Sequence, residues 1–339
     1  MSAAPPFDLS DPEWYAHRYV ESQDAFRFIR LPRADHRAVP FLTDAYLGDR
    51  GPHRDVPASE VLGQEKGRLH FLFHSAFCGS TLLTSALDRP GVAMGLSEPV
   101  LFNDVTGFRL RGAQGPAVAR AADLSLRLLA RPYGPGEAVV VKPSNLANPL
   151  AELFLAVQDQ ARAVFLYAPL ETFLISVVRK GLPCRLWVRE LLEGYLRMGY
   201  VDLGFEQGDY FRQSDLQVAA VGWLAQQAHF SRLIEKLGPV RIATLDADRM
   251  TQDSATALAA VAEHYGLALD SAAMAEIVAG PAFGQHSKSG AAFTAADRSA
   301  EYAAARAAHG EEIGMVLEWA RRVSESAGVA MEAPNPLMG

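Results

Sequence analysis

The chain has 339 residues, 49% of them hydrophobic and 21% charged, enough for one large α/β domain with additions or for two domains. A net charge of −7 with no Lys/Arg run argues against a nucleic-acid surface, and two cysteines, Cys78 and Cys184, exclude a disulfide framework. The opening MSAAPPFDLSDPEW lacks the basic-then-apolar order of a signal peptide, and no apolar run nears the roughly 20 residues of a membrane helix. The expectation is a cytoplasmic protein with no membrane and no nucleic-acid partner.

Residues 1–66 read as a polar N-terminal appendage without chemistry of its own. Asp11-Pro12-Glu13-Trp14 has the form of a helix start. Residues 25–31, AFRFIRL, alternate as a half-exposed strand, and residues 48–58 read as loop. A buried strand follows at 69–73, then a loop of small residues at 75–80. Residues 81–87 form a helix with Leu82, Leu83, Ala86 and Leu87 on one face. Strand, loop and helix in this order aim backbone N–H groups at an anion, with Thr81 placed to cap the helix.

A second strand lies at 91–95 and leads into Ser97-Glu98-Pro99. A helix over 117–130 ends in the Pro- and Gly-rich turn at 132–136, and a third strand at 138–141 delivers Lys142. A helix at 149–158, a strand at 163–167 and a helix at 170–179 continue the alternation. This is βαβ spacing, so the fold class is α/β with a central parallel sheet covered by helices on both faces. Ligands of such sheets sit at the carboxyl ends of strands, which would gather residues 75–81, Glu98, Lys142 and 168–176 around one crevice. The second half is mainly helical, with amphipathic stretches at 186–198 and 216–237. A fifth strand at 239–245 ends at Asp246, and a helix at 254–265 is closed by Gly266. Thr294 and Asp297 open a last long helix reaching about 326. The division is an appendage (1–66), an α/β core (67–290) and a C-terminal helix with tail (291–339).

The loop is not that of the nucleotide triphosphatases. GxxxxGK[ST] needs a Lys where Ser80 stands and a Gly where His74 stands. Ala76-Phe77-Cys78-Gly79-Ser80-Thr81 instead resembles the phosphosulfate loop of the sulfotransferase superfamily, roughly Pro-Arg/Lys-Ser-Gly-Thr/Ser-Thr. The bacterial sulfotransferase-like proteins and the tyrosylprotein sulfotransferases are nearest in pattern, and the likeness covers residues 68–290. It implies a P-loop-type three-layer fold and 3′-phosphoadenosine 5′-phosphosulfate as donor. It also implies a hydroxyl or amine acceptor on a small molecule or peptide. By the same resemblance Ser75, Cys78, Gly79, Ser80, Thr81 and Ser176 bind the donor, with Lys288 in a late Gln285-His286-Ser287-Lys288 segment. Glu98 stands where the general base belongs, and Lys142 where a lysine serves the leaving group. Two basic positions of the pattern are missing, replaced by Phe77 and Ala168. Each ordinarily makes a charge-assisted bond of about 1.5–3 kcal/mol. Arg179, Lys180 and Lys288 are the candidate substitutes.

Other readings of these residues stay open. A kinase or other phosphotransferase using ATP and magnesium would employ Thr81 as a metal ligand together with Asp246, though the missing loop Lys counts against it. A binding or regulatory protein with a degenerate site would explain Phe77 and Ala168. Glu98 also reads as an ordinary paired carboxylate, Ser80 and Thr81 as helix caps, and Cys78 as a small stand-in for Ser. His70 and His74 share a strand face, but with no third ligand they read as satisfied histidines, and no metal site is expected. Trp187 and Trp223 read as core. Oligomeric state is not written in the sequence.

Overall fold

The computed structural model describes residues 6–280 and 295–339. The chain divides into two compact units, Met1–Leu72 with Thr84–Arg162, and Phe73–Leu83 with Ala163–Gly339. Its parallel strands are β4 (Leu69–His74), β5 (Ala93–Ser97), β6 (Ala138–Lys142), β7 (Ala163–Tyr167) and β8 (Ile242–Asp246). They form one sheet of order β5-β6-β4-β7-β8, and every described pairing named among them is parallel. The α/β expectation is met. Each of β4 to β7 is buried along its whole length, the pattern of parallel strands covered on both faces.

The first unit opens differently from expectation. The helix anticipated after Asp11 is absent: Asp11 Oδ1 accepts the Glu13 N–H at 2.9 Å, closing a turn, and Trp14–Val20 is strand β1. Its residues WYAHRYV are mostly aromatic or β-branched and mostly buried, which favours a strand. It pairs antiparallel with β2 (Ala25–Arg30), which pairs with β3 (Arg54–Pro57). The Asp104 carboxylate, on the helix Val100–Leu110, accepts Arg18 Nε at 2.8 Å and the Tyr19 N–H at 2.9 Å. That helix was not expected; the helix after it, Gly115–Leu129, was.

In the second unit the helices Leu170–Arg179, Gly181–Arg197 and Asp215–Leu237 surround β7 and β8. Ser214 and Gln217 form a reciprocal capping box at the start of the longest of these three. Its residues Trp223 and Phe230 are buried, with Phe230 stacked on Phe165 at 4.1 Å between ring centroids. A long helix, Ala295–Ala327, follows the undescribed stretch; Thr294 lies outside the described residues. The chain then returns to β8, where Thr244 N donates to Asn335 O and Leu337 N donates to Thr244 O. Among the described residues no helix is long and apolar enough to cross a membrane.

Candidate functional site

In the second unit the loop after β4 is built on left-handed backbone. Ala76 (φ +73), Phe77 (φ +54) and Gly79 (φ +80) all occupy that region within four residues. Successive residues of this kind turn consecutive N–H groups toward one concavity. Gly79 also needs its bareness, because a Cβ there would stand 2.9 Å from the Met250 methyl. Ser75 locks the loop to β7: its N–H donates to Leu166 O at 3.1 Å, and its Oγ accepts the Ala168 N–H at 3.1 Å. The same hydroxyl lies 3.2 Å from Ala76 O, to which it donates.

The helix begins at Ser80 rather than Thr81, so Thr81 sits in its first turn and is not the cap. Leu83 N makes a helical bond, to Gly79 O at 3.1 Å, and the amides before it belong to the helix terminus. Ser80, Thr81 and Cys78 are buried, and Cys78 and Cys184 are both free thiols. Phe77 is half-buried, packed against Phe173 and edge-on to Trp187, with centroids 5.7 and 5.5 Å away. Trp187 is thus a half-buried partner of the loop and not the core residue expected, whereas Trp223 is core, its indole N–H donating to Ala168 O at 2.8 Å.

Ala168 is 0% exposed, with its N–H on Ser75 and its carbonyl on Trp223. Ser176 is buried on the helix that follows. Of the cations considered as substitutes, Arg179 pairs with Glu301 and lies over the Tyr302 ring. Lys180 lies over the Phe77 ring, its Nζ 5.4 Å from the centroid. Lys288, with the segment around it, lies outside the described residues.

In the first unit the parallel register of β5 and β6 sets Ser97 opposite Lys142, and the Glu98 N–H then donates to Lys142 O at 2.7 Å. Lys142 follows three valines, and its side chain is 0% exposed. A buried ammonium requires a partner, and Glu98 Oε1 accepts from it at 2.5 Å. The Glu98 side chain keeps 23% exposure, so this carboxylate still meets solvent. Its backbone is left-handed, φ +51, a conformation that costs a non-glycine residue on the order of 1–3 kcal/mol and concentrates at functional positions.

The N-terminal segment, read from sequence as without chemistry, reaches this pair. Lys142 Nζ lies 5.0 Å from the Phe41 ring centroid, and Leu42 N donates to Ser97 O at 2.8 Å. The available signal was the apolar Pro40-Phe41-Leu42 run in an otherwise polar stretch.

His70 and His74 are both buried, and the Nδ1 of each accepts a backbone N–H, from Arg162 at 3.2 Å and Ala76 at 3.1 Å. One ring nitrogen of each is thus engaged by the backbone. Asp246, invoked for the ATP and magnesium reading, is a helix cap. Its Oδ1 accepts the N–H groups of Asp248 at 2.7 Å and Arg249 at 3.2 Å.

Sulfotransferases are among the solved structures similar to this chain. The sulfotransferase domain from the curacin biosynthetic pathway is 14% identical, over 65% of this chain and 80% of that one, with a TM-score of 0.43. A sulfotransferase from Mycobacterium tuberculosis is 15% identical over 65% and 73%, TM-score 0.42. One from Mycobacterium avium is 12% identical over 76% and 79%, TM-score 0.42. No family model and no curated protein matches the sequence. Overlap of this extent carries no weight for donor, acceptor or mechanism, which rest on the residues themselves.

Proposed function

We propose that the protein is a sulfotransferase-like transferase, moving a sulfuryl group from 3′-phosphoadenosine 5′-phosphosulfate to a hydroxyl or amine acceptor. The observation that carries this reading is the Glu98–Lys142 pair, a wholly buried ammonium held by a part-exposed carboxylate on a strained backbone. A structural ion pair has no need of left-handed backbone at its acid. Strain of this kind is found mostly where a side chain must be held for function.

The loop fits the phosphosulfate end of such a donor. Beyond Ala76, whose N–H is held by His74, the loop and the helix start behind it present N–H groups of one polarity, with the Ser80 and Thr81 hydroxyls beside them. Ser75 supports this indirectly, since its hydroxyl is engaged inside the loop. Cys78 and Gly79 contribute backbone, and Ser176 serves the ribose phosphate. Lys288 keeps the role that the family pattern gives it.

The donor supplies an activated sulfuryl group on a phosphate leaving group. Glu98 takes the proton of the acceptor hydroxyl or amine as its lone pair forms the new bond to sulfur. Lys142 neutralises the charge that grows on the bridging oxygen as the old sulfur–oxygen bond breaks. Positioning and charge stabilisation act beside this proton transfer, as in phosphoryl transfer.

Glu98→Gln keeps the side-chain shape and an acceptor for Lys142 but removes the base. Turnover should fall by about 10²–10⁴-fold, while titration with adenosine 3′,5′-bisphosphate should give unchanged donor-site affinity. Near-normal turnover in this variant would remove Glu98 from the mechanism.

A further inference from the structure

A donor carrying a 5′-phosphosulfate and a 3′-phosphate brings several negative charges, yet the two positions where the family pattern puts cations are occupied by Phe77 and by Ala168, which is sealed in the core. Arg179 is committed to Glu301 and Tyr302. Lys180 is not committed in that way. It is exposed, and among the described residues no carboxylate lies within ion-pair distance of it.

Its placement is specified on three sides. The Lys180 N–H donates to Ser176 O at 3.4 Å, the last bond of the helix Leu170–Arg179, so Ser176 and Lys180 stand one turn apart on one face. Gly181 (φ +65) then breaks the helix with a left-handed residue, fixing where the lysine stem leaves. The ammonium lies over the face of Phe77, which Phe173 and Trp187 hold in place. A cation at this range is attracted to a ring face and keeps its three donors for a ligand.

We infer that Lys180 is the cation that binds the donor's 3′-phosphate in this protein, sharing it with Ser176, and that Phe77 is the platform on which it rests. The two departures from the family pattern are then one exchange. A basic side chain on the loop and an arginine after β7 are replaced by one lysine from the next helix end and the aromatic ring that steers it. The inference rests on the donor reading above.

The experiment is isothermal titration of the full chain and of Lys180→Met and Lys180→Arg with adenosine 3′,5′-bisphosphate and with AMP, beside a melting curve for each protein. Lys180→Met retains an aliphatic stem for the ring and loses only the charge. It should weaken the bisphosphate by about ten- to a hundred-fold, leave AMP little changed and melt as the unaltered chain does. Lys180→Arg should recover most of the bisphosphate affinity. An equal loss for both ligands would mean a general charge effect and overturn the assignment to the 3′-phosphate. An unchanged bisphosphate affinity in Lys180→Met would leave the lysine as a surface side chain lying on a ring, and the inference would fall while the donor reading stood. An unaltered chain that binds neither nucleotide would overturn the donor reading itself and this inference with it.

Discussion

The Lys142 ammonium and the Glu98 carboxylate depend on each other unequally. Lys142 has no access to water, whereas Glu98 keeps about a quarter of its side-chain surface. Removing one partner of a buried pair costs about 3–5 kcal/mol, mainly because the other charge is left without compensation. Glu98→Ala should therefore sit within that range. Alanine carries the same left-handed backbone strain as glutamate, so the loss reports the charge and not the turn. Lys142→Met leaves a carboxylate that water can solvate and a methionine that the buried position beside Phe41 accepts, so its cost should be clearly smaller. Guanidinium denaturation of both variants checks the order. If Lys142→Met proved the more damaging, the pair would be held together by something other than the desolvated ammonium.

Arginines tie the mostly buried N-terminal three-stranded sheet to its surroundings. Arg131, just beyond the helix Gly115–Leu129, donates to Leu9 O at 2.5 Å, Trp14 O at 2.8 Å and Leu128 O at 2.9 Å. Its guanidinium lies over the Phe28 ring, and burial holds its pKa down to about 10. Arg33 makes a second tie, to Glu137 Oε1 at 2.7 Å. Arg131→Met would leave two carbonyls flanking the start of β1 without their donor. Each buried group so orphaned costs about 1–3 kcal/mol. The expected result is a lowered melting temperature with early proteolytic cleavage near residues 6–20, read by mass spectrometry of the first fragments. An unchanged cleavage pattern would show that β1 is secured by its pairing with β2 alone. Because Phe41 and Leu42 lie between β2 and β3 of this sheet and touch Lys142 and Ser97, loosening of the segment should also reduce turnover.

At the scale of the whole molecule, acid sensitivity should begin well above the carboxylate range. His17 and His36 are both buried, and desolvation is the main cause lowering the pKa of each; Asp44 and Asp88 oppose it. The unfolded chain takes up these protons as pH falls through about 6.5, while the folded chain still refuses them. Stability is therefore full above that pH, declines below it, and stops declining only once the lowered folded values are passed. Around His36 the facing charges are Asp88, Arg33 and Arg37. His36→Gln should flatten the fall in unfolding free energy between about pH 7.5 and about pH 5.5. Denaturation midpoints across that span test it, the slope being the readout. A slope identical to that of the unaltered chain would assign the acid loss to other groups.

The parallel strands were legible in the sequence because each is a short, continuous apolar run, Ala138–Lys142 most of all, and such runs need no knowledge of their neighbours. The loop was legible too, since small residues between a strand and an amphipathic helix leave the backbone few other courses, and so was Gly266 as a helix stop. The strand Trp14–Val20 was not, because its turn residues also suit a helix start and only its pairing with Ala25–Arg30 settles the matter. The helix Val100–Leu110 escaped for want of a clear apolar stripe. Residue types alone nominated Glu98 and Lys142, but their meeting was decided by the register of two strands some 45 positions apart, Ser97 opposite Lys142. That register, together with the burial of the lysine beneath Phe41, is a non-local outcome of packing. No window along the chain contains it.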